Sequence, residues 1–128
     1  MYYGIKNGIN KREIGDRYEQ MAVIYLEKEG YEILERNYRC RYGEIDIIGR
    51  DRQSQETVLV FVEVKYRSST RFGSPFEAVD LKKQRTIVQT ANYYMKERKI
   101  DAGTRVRYDV VGILGREIRL IRNAFGGM

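Results

Sequence analysis

The stretch that decides the fold is GEIDIIGRDRQSQETVLVFVEVKYR, residues 43–67. Residues 43–49 and 57–67 are rich in Ile and Val, and the polar segment RDRQSQE separates them. This pattern predicts two strands joined as an antiparallel hairpin. Asp46, Glu63 and Lys65 nevertheless lie within or at the ends of the apolar runs, although burying an unpaired charge is costly.

The three charged residues are predicted to meet at one end of the hairpin. Side chains along a strand alternate between two faces, so Glu63 and Lys65 share a face with the apolar Leu59 and Phe61. Antiparallel pairing would bring Asp46 beside Glu63 on that same face. Two adjacent carboxylates repel each other, and a divalent cation between them removes the repulsion. The pattern therefore indicates a site for a hard ion such as Mg²⁺, with Lys65 placed to orient a water or to neutralise charge on a phosphate.

A simpler interpretation of the same residues stays open at this point. Glu–x–Lys on a strand is also a common surface pattern, and an exposed ion pair of this kind is worth roughly 0–1 kcal/mol. Taken on its own, Asp46 is interpreted as an ordinary turn acid at the end of a strand. The apolar run before Glu63, together with a second acid one strand earlier, favours the functional interpretation.

Composition limits the chemistry and the class of partner. The chain has 128 residues, no histidine, one cysteine and a net charge of +6. A histidine base, a histidine metal ligand, an internal disulfide and a cysteine zinc site are therefore excluded. The basic balance favours an anionic partner such as nucleic acid, although it would also serve solubility alone. No apolar run approaches a membrane span of about 18 residues, and the first residues do not resemble a secretory signal, so a cytoplasmic location is expected.

The rest of the chain predicts an α/β fold in a single domain spanning residues 1–128. Helical periodicity covers 13–29, strands follow at 31–39, 43–49 and 57–67, and SPFE at 74–77 carries a capping box that opens a second helix ending near Arg98. Residues 105–114 and 117–122 predict a last hairpin turning at Gly115. This order indicates a mixed central sheet flanked by helices, with flexible ends at 1–10 and 124–128.

Two helical residues are candidates for the same site. Glu19 lies at the edge of the apolar stripe of the first helix, from which it could reach the acids or remain solvated. Gln84 falls inside the apolar stripe of the second helix, where its amide must bond either to backbone or to groups of the site. Basic residues that would contact a nucleic-acid backbone surround these positions: Arg36, Arg39, Arg41, Arg67, Lys82, Lys83 and Arg85.

The combination EIDII, a loop and VFVEVKYR resembles the PD-(D/E)XK nuclease superfamily, whose restriction-endonuclease-like core has the order αβββαβ. Together with IGDRYEQMAVIYLEKEGYEILERNYR, SPFEAV, KKQR and RYDVVGI, residues 13–122 are similar to a bacterial family of small, uncharacterised predicted endonucleases. That family is distantly related to archaeal Holliday junction resolvases. Ile45 stands where the superfamily motif has its proline, which is not a metal ligand.

The resemblance implies a role for each candidate residue. Asp46, Glu63 and the backbone carbonyl of Val64 would hold Mg²⁺ or Mn²⁺, and Lys65 would be the catalytic lysine. Glu19 would be an additional acid from the helix, and Gln84 a fifth position.

The leading hypothesis is thus a metal-dependent endonuclease acting on DNA, including branched or structured DNA. A homodimer is expected if the protein, like a resolvase, cuts two strands. A nucleic-acid-binding module of the same fold that does not cut is the alternative, and an interaction domain without a nucleic-acid role is a third hypothesis.

Overall fold

Five strands form one sheet with a helix packed on each face in the computed structural model, which describes residues 11–53, 56–71 and 73–126. The elements in chain order are α1 (Lys11–Lys28), β1 (Tyr31–Cys40), β2 (Gly43–Asp51), β3 (Val58–Arg67), α2 (Leu81–Glu97), β4 (Arg105–Leu114) and β5 (Glu117–Phe125). No helix among the described residues has the length and apolarity needed to cross a membrane.

The sheet is mixed, and its strands lie in the order β1-β2-β3-β4-β5. The pairs β1–β2, β2–β3 and β4–β5 are antiparallel, whereas β3 and β4 are parallel. Parallel neighbours need a crossover connection, and α2 supplies it. The predicted α/β fold class is therefore confirmed, with an αβββαβ order consistent with a restriction-endonuclease-like core and an extra C-terminal strand.

β3 is the central strand, and both of its faces are covered. Leu59 and Phe61 belong to the apolar cluster beneath α2, while Val60 and Val62 belong to the cluster beneath α1. A strand buried on both faces has apolar residues at consecutive positions, which explains the run VLVFV. Burial decreases from Glu63 onward, so the charged residues lie where β3 leaves the core.

The second helix begins later than predicted. α2 starts at Leu81, and Asp80 is its N-cap, with Asp80 Oδ1 accepting from the backbone N–H of Lys83 at 2.8 Å. The predicted capping box at 74–77 does form contacts, because the backbone N–H of Ser74 donates to Glu77 Oε1 at 3.1 Å. It closes a turn rather than opening a helix.

Long-range contacts explain why residues 74–79 are not helical. A Cβ atom at Gly112 of β4 would lie 2.6 Å from Phe76 Cδ1 and 2.8 Å from the Pro75 carbonyl oxygen, so the segment packs closely on the strand. Lys65 Nζ donates to the Glu77 carbonyl at 2.8 Å. In a continuing α-helix that carbonyl would accept from the N–H four residues later. The segment is thus held by β3 and β4 instead of by helical bonds.

The last strand is longer than the sequence predicted. β5 extends to Phe125, whose ring stacks on Tyr108 with a centroid distance of 5.1 Å and is 8% exposed. The predicted strand 117–122 is therefore too short, because burial of this ring holds residues 124 and 125 on β4 as part of β5. Residues 1–10 and 127–128, predicted to be flexible, lie outside the described residues.

A buried polar network joins β1, β2 and β4. The fully buried Asp109 accepts from Tyr31 Oη at 2.6 Å and from Arg107 Nε at 2.8 Å. Arg107 also donates to Asp51 Oδ2 at 2.8 Å. A buried charge is tolerated when paired and hydrogen-bonded in this way, so the network fixes three strands relative to one another.

We expect Asp109→Ala to lower the free energy of unfolding by about 3–5 kcal/mol, because it leaves a largely buried guanidinium without its main partner. Urea unfolding followed by circular dichroism measures the change. Glu117→Ala is the matched control, since it removes an exposed acid paired with Arg119 and should cost less than about 1 kcal/mol. Equal losses in the two variants would contradict the assigned role of the network.

Candidate functional site

The two acidic strands separate at the predicted site. Paired residues of β2 and β3 run from Asp51 opposite Val58 to Ile47 opposite Val62. Beyond that point the backbone N–H of Val64 donates to Asp46 Oδ2 at 2.8 Å instead of to β2 backbone. The Asp46 carboxylate therefore lies between the two strands, in the gap where they part.

β1 and β2 change faces at the same level of the sheet. Asn37 has a left-handed backbone with φ of 54°, a conformation that asparagine tolerates better than most residues. Arg36 and its partner Ile47 face α1, whereas Tyr38 and its partner Ile45 pack beneath α2. Residues two apart would share a face in a regular strand. Because of this irregularity, the Asp46 side chain lies between the two faces of the sheet rather than on one of them.

The carboxylates of Asp46 and Glu63 are in hydrogen-bonding contact. Burial is the main cause that raises the pKa of Asp46 to about 8, and the charge and hydrogen bond of Glu63 add to it, while the Val64 N–H acts in the opposite direction. The Glu63 side chain is itself only 14% exposed. The pair thus retains a proton near neutral pH when no cation lies between the carboxylates.

Glu19 reaches the same region from α1. Its side chain accepts from Arg36 Nε at 3.0 Å and from Asn37 Nδ2 at 2.9 Å, and it is buried. Burial chiefly raises the pKa of Glu19, Arg36 lowers it, and the charge of Asp46 raises it further. Glu19 and Asp46 share a hollow of about 570 Å³. Its lining residues are Arg12, Gly15, Asp16, Glu19, Asn37, Arg39, Glu44, Asp46, Val64 and Tyr66.

Glu63 faces a second hollow, of about 590 Å³, on the α2 side of the sheet. Lys65 also lines this hollow, but its Nζ is bonded to the Glu77 carbonyl at 2.8 Å. The ammonium that pairs with Glu63 is that of Lys83, whose Nζ lies 3.5 Å from Glu63 Oε2. The sequence predicted Lys83 only as a phosphate-binding residue. Its position follows from the crossover, because a helix that leaves β3 begins near the C-terminal end of that strand.

Gln84 does not join the acids. Its Nε2 donates to the Val79 carbonyl at 2.7 Å, which is the backbone alternative expected for a half-buried amide, and it lines neither of the two hollows. A catalytic role for Gln84 stays a prediction without support from this geometry.

The predicted nucleic-acid-binding residues fall into two groups. Arg39 lines the hollow of Asp46 and Arg67 lines that of Glu63, while Arg36 pairs with Glu19 and Lys83 with Glu63. Arg39 Nε also lies 3.6 Å from Glu44, and Arg67 donates to the Tyr66 carbonyl. Arg41, Lys82 and Arg85 are exposed, Arg41 on the β1–β2 turn and the other two early in α2. The basic residues therefore lie on both sides of the acid pair.

The donor set suits a hard divalent cation. Within a strand the N–H and C=O of one residue point to the same side, so the Val64 carbonyl faces the gap that its N–H faces. Two carboxylates and a carbonyl are ligands of the kind that Mg²⁺ takes together with water. Within residues 11–53, 56–71 and 73–126, no group of three or more acidic or cysteine side chains is arranged to hold a metal. Glu19 therefore lies beside the pair without completing a three-acid cluster.

Comparison with known proteins identifies the family. Residues 18–113 match the profile described as Uncharacterised protein family UPF0102. The chain belongs to UPF0102. It is 50% identical over 117 residues to a UPF0102 protein of Lachnoclostridium phytofermentans, covering 91% of this chain and 96% of the relative. It is 43% identical over 119 residues to one of Fusobacterium nucleatum, covering 93% and 96%.

The predicted family resemblance is thereby confirmed, while placement in the PD-(D/E)XK superfamily stays a prediction. A search of solved structures gives Pyrococcus furiosus SfsA in complex with Ca²⁺, at 16% identity and a TM-score of 0.34, covering 89% of this chain and 64% of that one.

With a chelator present to remove metal ions, the free energy of unfolding of the wild type should fall between pH 4 and pH 8 relative to that of the Asp46→Asn variant. The pKa of Asp46 is higher in the folded state than in the unfolded state, so the folded protein binds the extra proton in this range and loses stability as the pH rises. Denaturant unfolding at a series of pH values measures the difference. A difference that is constant with pH would mean that the two carboxylates do not share a proton.

Proposed function

We propose that this protein is a Mg²⁺- or Mn²⁺-dependent endonuclease that hydrolyses phosphodiester bonds in DNA. The observation that carries the proposal is the position of two neighbouring acids, Asp46 and Glu63, where two strands of the sheet part: the Asp46 carboxylate lies in the gap, and burial together with Glu63 raises its pKa. An acid whose pKa is strongly raised, as that of Asp46 is, is typical of a functional site when it lies in a cleft. Here the two acids open into hollows that are bordered by arginine and lysine side chains.

Asp46, Glu63 and the Val64 carbonyl are the residues that would hold the ion. Mg²⁺ bound there would polarise a phosphate oxygen and lower the pKa of a coordinated water. Asp46 is kept in position by the Val64 N–H, and Glu63 by the rigid central strand that carries it. Sites on strands hold their geometry better than sites on loops, which suits a reaction that depends on positioning.

Lysine and arginine side chains would handle the phosphate. Lys65 lies next to the pair, and exchange of its bond to the Glu77 carbonyl for a phosphate oxygen would place its charge on the developing negative charge. Arg12 and Arg39 border the hollow of Asp46 and would bind neighbouring phosphates. Binding of this kind is sequence-independent and weakens steeply with salt.

A non-catalytic nucleic-acid-binding module is the second candidate, and one observation favours it. Both lysines near the acids already have partners, Lys65 the Glu77 carbonyl and Lys83 the Glu63 carboxylate. In such a module these bonds would be permanent and the pair would only shape the surface. Nucleic-acid binding without metal-dependent cleavage would select this candidate. The expected homodimer and the preference for branched DNA remain predictions under either function.

Cleavage assays test the proposal directly. Wild-type protein with Mg²⁺ or Mn²⁺ is expected to cut at least one member of a panel of duplex, single-stranded, flap and four-way-junction DNAs. Asp46→Asn and Glu63→Gln should each reduce kcat/KM by at least about 100-fold, because each removes a ligand worth several kcal/mol of transition-state stabilisation.

Glu117→Gln is the control for these variants, since it removes an exposed acid at the β4–β5 turn and should cut like the wild type. Survival of every DNA in the panel, or undiminished cutting by both site variants, would refute the nuclease.

Lys83→Met should bind Mn²⁺ roughly two- to fivefold more tightly than the wild type. The Lys83 ammonium lies 3.5 Å from Glu63 Oε2 and competes with a metal ion for that oxygen, at a cost comparable to one partly exposed ion pair. Isothermal titration calorimetry on metal-free protein measures the affinity. Lys82→Met is the matched control with the same loss of charge. An equal increase in Mn²⁺ affinity in both variants would mean that net charge, and not competition at Glu63, causes the effect.

A further inference from the structure

A hollow of about 400 Å³ lies between the β1–β2 turn and α2, separate from the two hollows of the acid pair. Its lining residues are Arg41, Tyr42, Gln89, Asn92, Tyr93 and Lys96. The set consists of two cations, two aromatic rings and two amides, and none of the acids that the structure describes lines it. It is therefore chemically suited to an anionic ligand with flat, hydrogen-bonding groups.

The aromatic part of the hollow is exposed and held in place. Tyr42 is 41% exposed, so part of its ring is open to solvent. The guanidinium of Arg41 lies 4.9 Å from the centre of its ring and donates to its hydroxyl at 2.9 Å. Tyr93 meets the ring at an angle of 62° and a centroid distance of 5.9 Å. Two braced rings with open surface form a platform on which a third flat group can stack.

The turn that carries Tyr42 is fixed against α2. A Cβ atom at Gly43 would lie 2.5 Å from Thr86 Cγ2 and 3.1 Å from Thr90 Oγ1. Only glycine permits this approach, so the turn is docked between two successive turns of the helix. The platform is thus rigid before any ligand arrives, and little conformational freedom would be lost on binding.

The platform continues toward the acid pair along α2. A smaller hollow of about 210 Å³ is lined by Arg85, Val88, Gln89 and Asn92, and it shares the last two residues with the first hollow. Arg85 and Lys82 are also exposed and bring the basic surface to the first turn of α2. Lys83 of that turn lies on the side of the helix that faces the sheet and pairs with Glu63. Ten residues of helix separate Lys83 from Tyr93, so the platform and the proposed cleavage site are about 15 Å apart along α2.

We propose that Tyr42 and Tyr93, with Arg41 and Lys96, bind unpaired nucleotides of a single-stranded DNA segment that continues into the acid pair. The proposal rests on the proposed function, and it names the substrate class as DNA with a single-stranded arm. Bases within a duplex stack on one another and offer no free face, whereas unpaired bases can stack on tyrosine. Arg41 and Lys96 would bind the flanking phosphates, and Gln89 would bond a base edge.

Binding without metal tests the platform apart from catalysis. Fluorescence anisotropy in EDTA would compare a labelled single strand, a blunt duplex of equal length and a fork with one single-stranded arm. Tyr42→Ala is expected to weaken binding of the single strand and the fork by about 5- to 150-fold, the range for loss of one stacked base. Tyr42→Phe should retain most of the affinity, and duplex binding should change less than twofold.

Ile24→Ala is the matched control, because it removes an apolar side chain that is 45% exposed on α1, and it should bind like the wild type. Unchanged single-strand binding by Tyr42→Ala would overturn the proposal. So would an equal loss of duplex affinity, a failure of the wild type to bind single strands, or displacement of the single strand by an acidic peptide but not by unlabelled DNA.

Cleavage with Mg²⁺ separates this proposal from the nuclease itself. One outcome is that forked DNA is cut in an Asp46-dependent reaction that is as fast with Tyr42→Ala as with the wild type. This outcome would overturn the platform and would support the nuclease. Tyr42-dependent binding of single strands, with no cutting of any DNA by the wild type, would support the platform and refute the nuclease.

Discussion

The hydrogen bond from the Val64 N–H to Asp46 Oδ2 is the contact on which the candidate site depends. It takes the place of a backbone hydrogen bond between β2 and β3, so the strands part without leaving the Val64 N–H unpaired. The gap lets side chains from both faces of the sheet approach one place, Glu19 from the α1 side and Glu63 from the α2 side. Where the two strands stay paired, at 47–51 of β2 and 58–62 of β3, they are largely buried, and this packing fixes the point at which they part.

Much of this could be predicted because it depends on local patterns. The apolar run of β3 indicates a central strand, and antiparallel register brings Asp46 next to Glu63. The change of face at Asn37 could not be predicted, since it depends on a left-handed φ that nothing in a strand pattern reveals. The start of α2 was missed for a related reason. The capping signal at Ser74 is genuine, but close packing of Phe76 against Gly112, far away in sequence, decides the conformation.

The partners of the lysines show the same division between local and long-range causes. Alternation along β3 places Lys65 beside Glu63, yet its ammonium bonds to a carbonyl of the segment before α2. The cation that pairs with Glu63 comes from Lys83, twenty residues later, because the crossover brings the first turn of α2 over the end of β3. Sequence spacing therefore identifies which charges gather at the site, and tertiary packing decides which of them touch.

The protein contains two groups of buried acids, and the contrast between them bears on function. Asp51 and Asp109 share Arg107, and although burial alone would raise the pKa of Asp51, its hydrogen bonds to Arg107 and to the Gln53 N–H lower it. Asp46 instead lies beside another acid: burial is the main cause that raises its pKa, Glu63 adds to the rise, and the Val64 N–H acts in the opposite direction. The chain has 24 lysines and arginines against 18 acids, so cations are not scarce. Although the Lys83 ammonium contacts Glu63 at 3.5 Å, Asp46 keeps a raised pKa, and a cation supplied from solution would remove the remaining cost of placing two carboxylates together.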